Sequence, residues 1–414
     1  MNVHVEKTIP ISYQMVVKAY QKVKQGGKAV GVDGESWLMF EAKGVEKALY
    51  VIWNRMSSGS YFPESVREVE IPKKDGKTRK LGIPTIGDRI AQQVVKTYME
   101  VRINHHFHEN SYGYRPMKSS KQALHAVRAN CFKWDWVLDM DITKFFDELD
   151  HDLMLKAVEA MISEKWVKMY VCRWLQATVQ KADGSIQSKQ GKGTPQGGVV
   201  SPLLANLYLH YGLDKWLEIN HPAISFVRYA DDAVIHCRTE QEAKQLKQAI
   251  SERMTAIGLR LNEEKIKIVY CKDYRRKGKH DKVEFDFLGF SFRPRQTRSN
   301  TGSGYMTFTP EIGKERQKRI RESIRTTVNW QNTSQSIGQV AATINPKLGG
   351  WLNYFGHFGK RELRKTMLYL EEKLLKWLGK KHKCGVKASH RLLSNWKLEH
   401  PKMFRHWWSK SYCY

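Results

Sequence analysis

At 414 residues the chain is too long for one ordinary core, and 70 Lys plus Arg against 42 Asp plus Glu leave a net charge of +28. That excess excludes an indifferent surface and points to a polyanion partner, nucleic acid above all. Six scattered cysteines with no C-x-x-C pair argue against a zinc ribbon or a disulfide framework, and no run of eighteen apolar residues or apolar leader is present, so the expectation is a soluble, cytoplasmic protein with no membrane partner.

In chain order, Met15, Ala19 and Val23 stand at helical spacing, and the glycine-rich stretch GGKAVGVDG interrupts the pattern before a second helix that runs to about Ser57. VREVEIPKKDGKTRKLGIPT predicts a hairpin with a Lys-Asp-Gly turn, made unusually basic by Lys73, Lys74, Lys77, Arg79 and Lys80. Residues 86–108 and 119–133 read as helices on either side of the loop SYGYRP, and His105 and His108 in NHHFH have no acidic or Cys motif beside them, so a polar helix end is the plainer reading. KWDWVLDMDITKFFD begins as a strand that puts Asp139 and Asp141 on one face. GKGTPQGGVVSP is a loop that opens an apolar helix at Leu203, SFVRYADDAVIHC is a tight hairpin with two acids at its turn, and FDFLGFSFRPR is a further short hairpin. From Glu311 onward the pattern turns helical and carries 22 Lys plus Arg against 7 Asp plus Glu; Leu363, Met367, Leu370, Leu374 and Leu378 form one apolar stripe.

Adjacent Asp231 and Asp232 repel each other. Aspartate is common in turns, but if the two hairpins pair in one sheet, Asp141 joins them, and three converging carboxylates need a divalent metal. Two metal ions in such a site serve phosphoryl and nucleotidyl transfer.

The set Y-A-D-D (229–232), D-I-T-K-F-F-D (141–147), T-P-Q-G-G (194–198), L-G-I-P-T (81–85), S-Y-G-Y-R-P (111–116) and F-L-G-F (287–290) resembles the group II intron-encoded reverse transcriptase/maturase family. G-V-D-G (31–34) and G-G-W-L-N-Y-F-G (349–356) extend the resemblance over about residues 20–380. It implies an α+β right-hand polymerase: fingers over 1–110, a palm with interleaved finger segments over 111–297, a helical thumb or maturase domain over 298–380, and a basic DNA-binding remnant over 381–414.

The resemblance also implies roles. Asp141, Asp231 and Asp232 would be catalytic, holding two Mg²⁺ (or Mn²⁺) with the carbonyl of Ile142. Lys73, Arg79, Gln196 and Arg115 would bind the dNTP, and Phe146 would lie beneath its sugar as a gate against the 2′-OH. Lys265 would sit near the metal site or primer, and Phe287, Leu288, Gly289, Lys347, Trp351, Tyr354 and Arg364 would meet template and primer, although Trp351 and Tyr354 are expected to serve mainly as core. Asp139 would support the metal site from behind. The implied partners are an RNA template, a DNA primer or target, dNTPs and structured intron RNA. The paired C-x-x-C motifs of an H-N-H endonuclease are missing, so DNA cleavage by this chain is not expected. The rivals are a splicing-only RNA-binding maturase, a related enzyme recruited to another system such as CRISPR, and an RNA-templated RNA polymerase.

Overall fold

The computed structural model describes residues 9–72, 78–298 and 302–409, so Lys73, Lys74 and Lys77 lie outside the described residues. The chain divides into two compact units, one made of the described residues up to Ser119 with Met140–Ile235 and Gln241–Ile266, the other of Ser120–Asp139, His236–Glu240 and the residues from Lys267 onward.

In the first unit, helices Tyr13–Lys24, Val45–Ser57, Ile86–Ile103 and Lys165–Gln176 enclose a core of Val16, Leu49, Met56, Ile90, Val94 and Val171. Ser12 and Thr85 start two of these helices by accepting backbone N–H bonds from Met15 and Asp88. The basic hairpin forms as expected: Val66–Pro72 pairs antiparallel with Thr78–Ile83, Val69 opposite Leu81. A short parallel pairing of Val66 with Val179 joins it to the hairpin Val179–Gln180 and Ile186–Gln187. The helix expected over 86–108 stops at Ile103, because residues 104–110 turn back to serve Arg115. Ser201, followed by Pro202 in the first turn, starts the apolar helix two residues before Leu203.

In the second unit, strands Phe285–Phe287, Phe290–Arg298 and Gly304–Ile312 form an antiparallel sheet, and Trp136–Met140 pairs with Lys267–Tyr270. Strand continues to Ile312, so the helical region opens at Lys314 rather than at residue 311. Helices Lys314–Thr327, Ile337–Phe355, Lys360–Lys381 and Val386–Glu399 follow. The stripe Leu363, Met367, Leu370, Leu374 and Leu378 is fully inside. Ser336 and Gln339 close a capping box at the start of the second helix.

Glu371, on helix Lys360–Lys381, ties down the C-terminal segment: Lys397 pairs with it at 2.7 Å and Trp407 donates to it at 2.8 Å. Burial pushes this carboxyl up, but hydrogen bonds and positive charge from His406 and Lys397 outweigh burial and hold it at about 2. A depressed carboxyl stabilises the fold above its ordinary value near 4.5 and loses that contribution as pH falls towards 2. The expected stake is on the order of 3 kcal/mol. Melting curves from pH 7 to pH 3 should therefore steepen in loss below about 4.5, and Glu371→Gln should flatten that acid limb while lowering stability at neutral pH.

Candidate active site

Asp141, Asp231 and Asp232 all lie in the first unit, and their charges act on one another. Burial raises the Asp231 carboxyl, and Asp141 adds to the rise while Arg79 and Arg228 oppose it. Asp232 is pushed to about 7 by the protein crowded around it, then by Asp231 and Asp141, with Lys265 pulling the other way. It keeps an exposed face. Lys265 reaches Asp141 at 3.0 Å.

The backbone accounts for where each of the three stands. Asp141 accepts from the Asn262 N–H and Thr143 donates to the Arg260 carbonyl, which flank the bridge between Ile142 and Leu261. In that antiparallel arrangement the peptide groups of Ile142 itself point away from residues 260–262, leaving its carbonyl to the other edge. Asp231 and Asp232 sit where strand Ser225–Tyr229 turns into Asp232–Cys237, and Ala230 takes a left-handed φ of 59°. Such a conformation costs a non-glycine residue roughly 1–2 kcal/mol and must be held by its surroundings.

Arg228 holds it. Its guanidinium donates to the Ala230 carbonyl at 2.9 Å and to Asn206 at 3.0 Å, and grips Asp214 through two bonds of 2.7 and 2.5 Å, with Arg228 and Asp214 both fully buried. Asn206 in turn donates to the Gly113 carbonyl. Sequence reading missed this network. The one signal was an arginine inside an apolar strand beside the acid pair; Asp214 and Asn206 stand 14 and 22 positions away with no pattern to link them.

Gly113 is required by close approach, since a Cβ there would fall 2.3 Å from the Ala230 nitrogen. Gly113→Ala should therefore displace the acid-bearing turn. The expected result is a loss of about 1–3 kcal/mol in urea unfolding, with primer extension falling by more than the fraction unfolded explains.

Phe146 is buried, and with Lys80, Leu81, Gly82 and Gln196 it lines a cavity of about 260 Å³. Arg79 donates to the Gln196 side chain at 2.6 Å, while the Gln196 carbonyl accepts from the Gly82 N–H. Gly197, at φ 129°, has a carbonyl where a Cβ would go, 2.6 Å away. Three expected nucleotide-binding residues thus stand together.

Other expectations change. The Arg115 guanidinium donates to the Asn104 side chain and to the carbonyls of Asn104, His108 and Ser111. These four bonds shape the 104–111 loop. Phe287 alternates inward with Phe285 and is buried. What the F-L-G-F turn presents is its backbone, with Leu288 and Gly289 at positive φ and the Leu288 carbonyl accepting from the Tyr354 hydroxyl. Tyr354 is 38% exposed, so the core role belongs to Phe355 beside it. Trp351 is half-buried, Arg364 is exposed, and Lys347 donates to Thr327 at 2.7 Å. Asp139 lies opposite Lys267 in the strand pair of the second unit.

Hard oxygen donors are what Mg²⁺ takes, and carboxylates that raise one another carry negative charge that calls for a cation. Among the described residues no three His, Cys, Asp or Glu side chains are gathered closely enough to cage an ion. The donor chemistry fits a divalent metal; Lys265 supplies positive charge to Asp141 in this structure.

Residues 71–292, more than half of the chain, match the family described as Reverse transcriptase (RNA-dependent DNA polymerase), and the chain belongs to that family. It is an RNA-directed DNA polymerase of mixed helix and sheet, with the divalent-metal dependence and the RNA and DNA partners that such a domain entails. Residues 317–396 match the group II intron maturase-specific domain, which places the chain beside the group II intron-encoded proteins. It is 30% identical to Protein YkfC of Escherichia coli over 74% of this chain and 86% of that one. It is 31% identical to the group II intron-encoded protein LtrA of Lactococcus lactis over 48% of this chain, though only 33% of LtrA is covered. A putative COX1/OXI3 intron 1 protein of Saccharomyces cerevisiae is 26% identical over 51% of this chain and 31% of its own length. No helix among the described residues is long and apolar enough to cross a membrane.

Proposed function

We propose that the chain extends a primer 3′-OH on an RNA template by in-line attack on the α-phosphate of a dNTP, with pyrophosphate leaving. The observation that carries this reading is the mutual charge of Asp141, Asp231 and Asp232 next to the Arg79–Gln196 pair. Asp141, Asp231 and the Ile142 carbonyl would hold two Mg²⁺, for which Mn²⁺ could substitute, with Asp232 beside them. When bound, such ions activate the attacking oxygen and offset charge on the leaving group. Arg79, together with Lys73, binds the triphosphate through charge-assisted hydrogen bonds. Gln196 positions Arg79, and Lys265 steadies Asp141.

In this reading the fingers span 1–110, the palm and interleaved finger segments 111–297, the thumb 298–380 and a basic DNA-binding remnant 381–414. Lys347, Trp351, Tyr354, Arg364 and the Leu288–Gly289 turn guide template and primer. The maturase-specific domain binds structured intron RNA and assists splicing and retrohoming, in the cytoplasm.

Phe146 excludes the 2′-OH by size. Phe146→Ala should raise the use of NTPs relative to dNTPs by at least about tenfold, the worth of a small steric difference in a pocket. Single-nucleotide incorporation kinetics with paired dNTP and NTP check it, and negligible NTP use by the variant would refute the gate.

A further inference from the structure

In the second unit a cavity of about 620 Å³ opens between helices Lys360–Lys381 and Val386–Glu399. Trp377 closes its floor, fully buried and fixed by an indole N–H bond to the Asn332 carbonyl. Trp330, half-buried and held through its own indole N–H to the Ile324 carbonyl, and Val386, 75% exposed, form apolar walls. Lys373, Lys376 and Lys380 stand on the rim at spacings of three and four, hence along one helix face, against one acid, Glu372. Lys380 also donates to the Gln331 side chain at 2.6 Å.

A hollow walled by Trp330, Trp377 and Val386 favours an apolar guest. A row of lysines along its edge selects what that guest is attached to. A stacked duplex would use the lysines and leave the hollow empty, whereas an unpaired nucleotide offers both a base with an apolar face and adjoining phosphates. We propose that this cavity takes a single unstacked base of a structured RNA, with the flanking phosphates on Lys373, Lys376 and Lys380. The site lies within residues 317–396, the maturase-specific region. The proposal rests on the intron-RNA reading above and names where that RNA would be gripped.

The test is fluorescence anisotropy of the full chain with three labelled RNAs: a plain duplex, the same duplex with one bulged adenosine, and the same with an abasic bulge. The wild type should bind the adenosine bulge about tenfold more tightly than the abasic one. Val386→Trp, which fills the cavity, should erase that difference without weakening binding to the plain duplex. Lys376→Ala, at an exposed position, should weaken both bulged RNAs alike and reduce the salt slope by about one. Equal binding of the two bulges by the wild type would overturn the proposal, as would a preference that survives in a Val386→Trp protein with an unchanged melting curve. Failure of the wild type to bind any of the three RNAs would overturn the intron-RNA reading along with it, whereas loss of the bulge preference alone would overturn only this site.

Discussion

Asp231→Ala is expected to lower RNA-templated primer extension by about 10³-fold or more, the equivalent of roughly 4 kcal/mol of transition-state stabilisation. Asp231 sits at a turn held by a buried network, under repulsion from Asp141. On the proposed reading, removing its carboxylate takes away one of the oxygen donors for a divalent cation. The same substitution relieves like-charge repulsion, so the folded state should be no less stable than the wild type. A variant that melts at the same temperature or higher, binds template and primer, and yet fails to extend would place the defect in the chemistry. Activity within tenfold of the wild type would remove Asp231 from the catalytic set.

The largest expected effect on stability comes from Arg228→Met. It strands Asp214 as a fully buried carboxylate without its cation and leaves the carbonyl of Ala230 and the Asn206 side chain without a donor. Breaking one side of a buried ion pair costs about 3–5 kcal/mol. Removing both charges, as in Arg228→Met with Asp214→Leu, should recover part of that loss in urea unfolding, because no unpaired charge remains. Activity should not recover with it. The left-handed Ala230 would still lack the bond that fixes its carbonyl, and the two aspartates would point differently. Full recovery of both properties by the double variant would mean that the pair serves stability alone.

Much of this was legible in order along the chain, and for physical reasons. The basic hairpin announced itself through a Lys-Asp-Gly turn between alternating strands, and the stripe Leu363 to Leu378 through helical period; both stand in the structure, the hairpin apart from residues 73–77. The acids at the second hairpin's turn were legible because two adjacent carboxylates are costly without a purpose. What holds that turn was not. Arg228 looks like one polar residue in an apolar strand, and its partners come from the helical segments Ser201–Leu209 and His210–Asp214, which only the fold brings near. Gly113 reads as a flexible loop residue until Ala230 is seen against it. Arg115 and Phe287 show what motif position leaves out: four hydrogen bonds tie the Arg115 guanidinium to the 104–111 loop, and strand alternation buries Phe287.

The most direct test of the central claim is extension of a DNA primer on an RNA template by the wild-type chain with Mg²⁺, dNTPs in one reaction and NTPs in another. The proposed roles of Asp141, Asp231, Asp232 and Phe146 predict DNA product reaching the template end with dNTPs and little product with NTPs. No extension with either, by a protein that still binds structured RNA tightly, would contradict the assignment of Asp141, Asp231 and Asp232 to nucleotidyl transfer and leave an RNA-binding splicing factor in its place.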